Sequence, residues 1–531
     1  MRISRKTSLL FLILTISLAA FLYFLKLDQL PNSLSDDEAT VGYNALSILN
    51  TGKDEYGKTL PLAFRLFRAY TPPLFIYLAA PLIGLFGLSA VTLRAISAVF
   101  TLFGILIVFE FIRSLDLFKS RLTAPLAAFI FSICPWVFYY ARIGYEVTAG
   151  YITFAAGALF LWYGVRRKKL SFFGLFLLSI STYIAHTERF LVPVFLLTVF
   201  VSFRTKNLIP GLVFLALTQL PNLYLLTTKA FWVKGEVFGD FNPARITGEF
   251  VNQYLTYLSP KALFGLSPDI NLQHTAPAIS LFYSWLIIPF FIGLYRLYLK
   301  ARTPGGRYLL LMLLTAPFPG ALSGHYISVQ RVLPLIIPLI FVLALGFDYL
   351  VLKIRPAFFW PVFCLLTLLS LTLLWRSYFI FFPKERSAYW SYGYEQLAEI
   401  IRENPEISYV IDTARAETGY SGLLFYLVYP PAEFQKQFPP EVANNYYSDP
   451  RVDKSYAFGN IKLRGVSWEK DPLIDQVLVG DPLTISDGQA REHFLSRVFE
   501  IKDPNGRPIL IGYQTNPARK RFDNLRKAGY L

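Results

Sequence analysis

Eleven apolar runs dominate this 531-residue chain, near residues 7–25, 90–112, 123–140, 149–165, 170–185, 189–203, 208–226, 279–299, 308–322, 331–350 and 357–380. A helix needs about 20 mostly apolar residues to cross a bilayer, so a chain built this way is expected to be an α-helical polytopic membrane protein. A further run, 72–87, has only about 16 residues, short of that length. Parity decides its role. If it crossed, Lys119, Arg121 and the cluster Arg166–Lys169 would lie outside. If it lies along the membrane, every basic cluster falls inside, as cytoplasmic loops prefer. The expectation is therefore about eleven crossings, with the N-terminus cytoplasmic and the C-terminus outside.

Composition agrees. Hydrophobic residues make up 54% and charged residues 16%, whereas a soluble domain carries about 25% charged residues. The net charge of +16 would suggest nucleic acid in a soluble protein. Here it gathers in short loops (Arg166–Lys169, Arg204 with Lys206, Lys300 with Arg302, Lys353 with Arg355), which is topology and not a nucleic-acid footprint. Cys134 and Cys364 both sit inside apolar runs, so no disulfide framework or cysteine metal site is expected. The first run has a basic start but no small-residue cleavage site, and is expected to stay as an anchor.

The character changes after residue 382. Residues 391–403 have helical spacing, while 407–412, 475–480 and 507–513 read as strands. Asp503–Gly506 is a hairpin turn signal. Two domains are expected: a membrane domain over 1–382 and an extracytoplasmic α/β domain over 383–531.

This topology collects irregular, polar segments on one face: the long loop 26–89, then 139–148, 185–189, 227–278 and 323–331. At the exit of the first run stand Ser35-Asp36-Asp37-Glu38. Acidic residues at a helix start are good caps. A partly desolvated carboxylate there is also suited to act as a general base. Arg142 and Glu146 either pair across one helical turn or act separately, the Arg on an anionic headgroup. Glu188-Arg189 with His186, and Arg331 with His325, repeat that pattern in later outer turns. His274 is an interfacial histidine or a ligand-binding one. No His, Cys or carboxylate spacing resembles a zinc site, and no Gly-rich loop suggests a nucleotide.

Taken together, Asp37-Glu38-Ala39, Gly42-Tyr43-Asn44-Ala45, Thr51–Gly57, Pro72-Pro73-Leu74, Leu93-Arg94, Pro135-Trp136, Arg142…Glu146, His274 to Pro277 and Arg331…Pro334 resemble bacterial family 39 glycosyltransferases of the GT-C superfamily. These are relatives of protein O-mannosyltransferases and of the lipid A aminoarabinose transferase. The resemblance implies a GT-C fold with juxtamembrane helices in the first outer loop. It also implies sugar transfer from a polyprenyl-phosphate donor to a glycan, lipid or protein acceptor outside the cytoplasmic (inner) membrane.

On that footing the catalytic candidates are Asp37 and Glu38. Arg142, Arg189, Arg331 and His325 are candidates for the donor phosphate, and Asp36, Glu146, His186, His274 and Tyr43 for sugar or acceptor. One departure stands out: where the aminoarabinose transferases carry a Lys before Pro-Pro, this chain has Thr71. No cofactor is required by the sequence. A divalent cation is compatible with the acidic cluster, though no ligand set demands one. The rival expectation is a transporter or flippase of a lipid-linked or anionic solute, which would favour polar groups within the spans and repeat symmetry.

Overall fold

The computed structural model describes residues 4–67, 69–232, 243–265, 272–323, 327–413, 419–448 and 456–530. The first helix, α1 (Arg5–Phe24), starts at Ser4, whose side chain accepts from the Thr7 amide, and has no charge after Lys6. Then α2 (Asp36–Thr51) carries the acidic cluster, and a two-stranded hairpin follows, β1 (Phe64–Leu66) with β2 (Ala69–Thr71). Next comes α3 (Leu74–Phe86), whose 13 residues reach only about 20 Å. It is too short to span a core of about 30 Å. In contrast, α4 (Ala90–Ser114) has 25 residues.

Among the described residues five helices are long and apolar enough to cross a membrane, or six if Leu208–Thr218 and Leu220–Leu226, bent by 61°, form one span. Several of the expected continuous runs are broken, each beside a proline, which has no amide hydrogen to continue a helical ladder. The run 123–140 divides at Cys134 into Thr123–Ile133 and Pro135–Tyr140. The run 308–322 divides into Pro304–Thr315 and Phe318–Leu322, with Pro317 at the break. Carbonyls at the first break find tyrosine hydroxyls instead. Tyr23 Oη donates to the Ser132 carbonyl (2.8 Å) and Tyr283 Oη to that of Ile133 (2.7 Å). Buried backbone groups in an apolar core need such partners.

Beyond the last long helix, Pro356–Trp375, the chain makes a π-helical turn, Arg376–Phe381. A six-stranded mixed sheet follows, built from β3 (Tyr409–Ile411), β4 (Tyr456–Phe458), β5 (Ile461–Leu463), β6 (Val477–Gly480), β7 (Ser496–Lys502) and β8 (Pro508–Gln514). Its order is β4-β5-β3-β6-β8-β7, with β3 parallel to both β5 and β6 and the other pairs antiparallel. The turn at Asp503–Gly506 joins β7 to β8 as expected. The helix Gly419–Tyr426 packs against α2 so tightly that a Cβ on Gly42 would lie 2.5 Å from the Phe425 ring.

Candidate active site

Everything at the head of α2 follows from its cap. Ser35 Oγ accepts the Glu38 amide (3.1 Å), and Glu38 Oε2 accepts the Ser35 amide (3.0 Å), a reciprocal capping box. The same carboxylate takes Arg94 Nε (3.1 Å) and the Gly144 amide (2.6 Å), and it is fully buried. Arg94 in turn donates to the carbonyls of Leu27 (3.2 Å), Pro31 (2.9 Å) and Ser33 (2.6 Å). Glu38, expected as a catalytic residue, is therefore the buried knot that ties the first outer loop to α4 and to the turn at 142–146.

Asp36 and Asp37 are half-buried. Successive helical positions diverge by about 100°, and the two carboxylates act on different neighbours. Asp36 accepts from Ser391 Oγ at 2.7 Å. Asp37 acts electrostatically on Tyr145, whose hydroxyl burial pushes well above its ordinary range, with Tyr140 and then Asp37 adding to the rise. Neutral Tyr145 donates to Gln330 Oε1 (3.1 Å).

From there contacts run between the segments at 70–71, 146, 186–187 and 331. Thr71, at the end of β2, donates to Glu146 Oε1 (3.1 Å), and His186 Nε2 sits at hydrogen-bond distance from the Tyr70 carbonyl. Thr187 Oγ1 donates to the Arg331 carbonyl (3.4 Å), and Arg331 itself donates to that of Ser323 (3.0 Å). His274 lies 3.4 Å from Ser328 Oγ, and its carbonyl accepts from Tyr140 Oη (3.1 Å). His325 falls outside the described residues.

Arg142 is a correction. It neither pairs with Glu146 along a helix nor faces a headgroup. Its guanidinium is fully buried and donates to the carbonyls of Leu22, Tyr23, Lys26 and Leu30, closing the end of α1. The carbonyls of Leu22 and Tyr23 stand in the last turn of α1, receive no backbone amide and carry the negative end of the helix dipole, so a cation settles there. Tyr43 is likewise turned away. It is buried edge-on to Phe434 at 5.9 Å, on the side of α2 that meets the C-terminal segment. Arg189 lies 7% exposed, with Nε on the Thr182 carbonyl (3.1 Å) and Nη2 without a hydrogen-bond partner. Thr182 also meets Asn222 and Gln219 at the helix bend.

A second buried network, assigned no role in the sequence reading, joins the first outer loop to residues 434–447. Tyr446 Oη donates to Asp54 Oδ2 and accepts the Arg65 amide, while Arg65 Nη2 donates to the Tyr446 carbonyl (2.8 Å). The Arg65 guanidinium lies over the rings of Tyr446, Tyr56 and Tyr70. Gln435 Nε2 reaches Ser47, Thr51 and the Asp54 carbonyl. Glu55 accepts from Asn44 (3.1 Å), and its Oε2 has no hydrogen-bond partner. Burial pushes Asp54 up to about 6 and Glu55 up to about 8. The sequence signal existed, since Leu93-Arg94 and Asp54-Glu55 both stand in the family-like motifs, but a motif carries no partner. Among the described residues no three His, Cys, Asp or Glu side chains group as metal ligands.

No family model and no curated protein matches this sequence. Among solved structures the chain is similar to ArnT from Cupriavidus metallidurans bound to undecaprenyl phosphate, at 13% identity and a TM-score of 0.54, over 94% of this chain and 97% of that one. It is also similar to the apo oligosaccharyltransferase of Archaeoglobus fulgidus, at 14% identity and a TM-score of 0.51, over 97% of this chain and 75% of that one. At such identities the likeness concerns the fold. The chain shares the fold of these two proteins, and several of its described helices are long and apolar enough to cross a membrane.

Proposed function

We propose that this chain is an inverting glycosyltransferase of the family 39 type, which moves a sugar from a polyprenyl-phosphate donor to an acceptor on the outer face of the cytoplasmic membrane. The observation that carries the reading is the division of labour at the head of α2. Glu38 is locked in its knot and Asp36 receives Ser391, while the charge of Asp37 acts on Tyr145, in the turn that leads to Glu146. Asp37 takes the proton of the acceptor hydroxyl as that oxygen attacks C1. The bond from C1 to the phosphate oxygen breaks on the opposite side, and polyprenyl phosphate leaves with the electron pair. A phosphate leaving group needs positive charge near it more than a proton.

With Arg142 closing α1, that charge falls to Arg331 and to Arg189 with its unpartnered Nη2. Glu146, His186 and His274 surround the sugar and acceptor. An apolar cleft of about 430 Å³ between residues 264–265 and 278–285 on one side and the helix Pro356–Trp375 on the other, lined by Phe264, Tyr283, Trp285 and Leu369, suits the prenyl tail. Eleven crossings with the C-terminal domain 383–531 outside complete the reading.

The test uses membranes supplied with labelled polyprenyl-phosphate sugar. Asp37→Asn should lower transfer by at least about 10²-fold, the usual contribution of a general base. Asp36→Asn should leave most of it. Donor that reaches the other leaflet with its glycosyl bond intact, and no transfer product, would overturn the reading in favour of a transporter.

A further inference from the structure

Glu188 has no role in the mechanism above, yet it is a carboxyl buried to 1% exposure in the outer turn before the 189–203 span. Its Oε2 has no hydrogen-bond partner. It is aimed across the turn at the head of the helix Val147–Arg166, where a Cβ on Gly150 would lie only 2.9 Å from Oε2. Gly150 sits one turn below Glu146, to whose carbonyl its amide donates (2.9 Å). Glu146 is the group that receives Thr71 from β2, and His186, two residues before Glu188, lies against the Tyr70 carbonyl of the same strand. His186 and Glu146 thus hold adjacent residues of β2, and each of their two turns carries a carboxyl, Glu188 on one and Glu146 on the other.

We propose that Glu188 is a positioning residue for the donor site: carrying a proton, it lets Glu146 stay seated on Thr71, and on losing that proton it drives Glu146 and β2 out of register. The inference rests on the function proposed above. The charged and titratable groups around it are few. Glu146 stands at the head of the facing helix, and His186 is on its own turn. Arg189 is directed away to the Thr182 carbonyl, beside Tyr183, and Arg331 accepts from Thr187 through its backbone and points its guanidinium to Ser323. None of the described contacts places a cation on Glu188. Burial raises its pKa to about 8, and the charge of Glu146 adds to the rise. A buried carboxylate with no countercharge is costly and takes up a proton instead.

The experiment measures transfer against pH for the full chain in lipid nanodiscs. Wild type should show a KM for the donor that rises above pH 8, by about tenfold for each further pH unit, while kcat holds. Glu188→Gln, neutral at every pH, should keep most of the neutral-pH activity and lose this rise. Glu188→Ala should raise KM throughout. A second readout needs no turnover: the infrared difference between wild type and Glu188→Gln at pH 7 should show the carbonyl stretch of a protonated carboxyl. An unchanged alkaline rise in Glu188→Gln, inactivity of that variant at all pH values, or absence of the infrared band overturns the inference. Should wild type transfer no sugar, the functional reading fails, and the infrared band still decides the state of Glu188.

Discussion

Replacing Glu55 by Gln is the sharpest test of the buried network between the first outer loop and residues 434–447. Glu55 is buried to 1% exposure, keeps one oxygen on Asn44, and has its other oxygen without a hydrogen-bond partner near the Tyr43 hydroxyl. Its pKa is raised from 4.5 to about 8, chiefly by burial, with the charge of Asp54 adding to the rise. The folded protein therefore binds a proton that the unfolded chain releases between these values. Stability is fully present below pH 4.5 and is lost as pH rises to 8, at about 1.4 kcal/mol per pH unit. Asp54, raised to about 6, adds its own slope below pH 6 in both proteins. From pH 6 to pH 8 the two separate cleanly, and Glu55→Gln should gain on wild type by roughly 3 kcal/mol over that window. The assay is the apparent Tm of the detergent-solubilised protein, followed by intrinsic fluorescence in steps of half a pH unit. A gap between variant and wild type that stays flat, or narrows as pH rises, refutes the reasoning.

Other outcomes follow from the same geometry. Arg142→Met should remove a donor from four carbonyls and leave those of Leu22, Tyr23 and Leu30 without a backbone amide in its place, at about 1–3 kcal/mol for each that stays buried. Arg142→Lys should fail to rescue it, since one ammonium cannot reach all four. Size-exclusion profiles should show loss of folded protein in both variants, where a phosphate ligand would have given only a higher KM. Glu38→Ala breaks a buried ion pair and should cost about 3–5 kcal/mol, read as a fall in Tm. Tyr446→Phe removes the hydroxyl shared by Asp54 and the Arg65 amide, and should cost about 1–3 kcal/mol without changing the membrane insertion of α1. Leu369→Trp, which fills the apolar cleft, should raise KM for long-chain donors more than for short-chain ones.

Local chemistry was legible where a few adjacent residues decide it. The acidic residues after Ser35 read as a helix start, and the structure begins α2 there, with Ser35 and Glu38 closing a reciprocal cap. The strands at 409–411, 477–480 and 508–514 and the turn at 503–506 lie where period and turn residues put them. The helix breaks were written in prolines, but hydropathy averages over a window and does not register a single missing amide. What could not be read was partnership at long range. Arg142 belongs to carbonyls 112 to 120 residues away, and nothing in Arg142-Ile-Gly-Tyr-Glu146 distinguishes that from a headgroup ligand. The departure at Thr71 was visible; its bond to Glu146 required the hairpin to fold back on the second outer turn. Short strands such as 456–458 and 461–463 draw their order from neighbours in the sheet, not from their own composition.

The bond between Tyr446 and Asp54 joins residues 392 positions apart. A chain made from its N-terminus inserts α1 and delivers the acidic head of α2 long before Tyr446, Gln435 or Phe434 exists. Until those residues dock, Asp54 and Arg65 lack the tyrosine that joins them, and α2 lacks the ring that covers Tyr43. The wall beside them closes only when synthesis is nearly done, so the order of synthesis itself keeps the candidate site unfinished in a half-made protein.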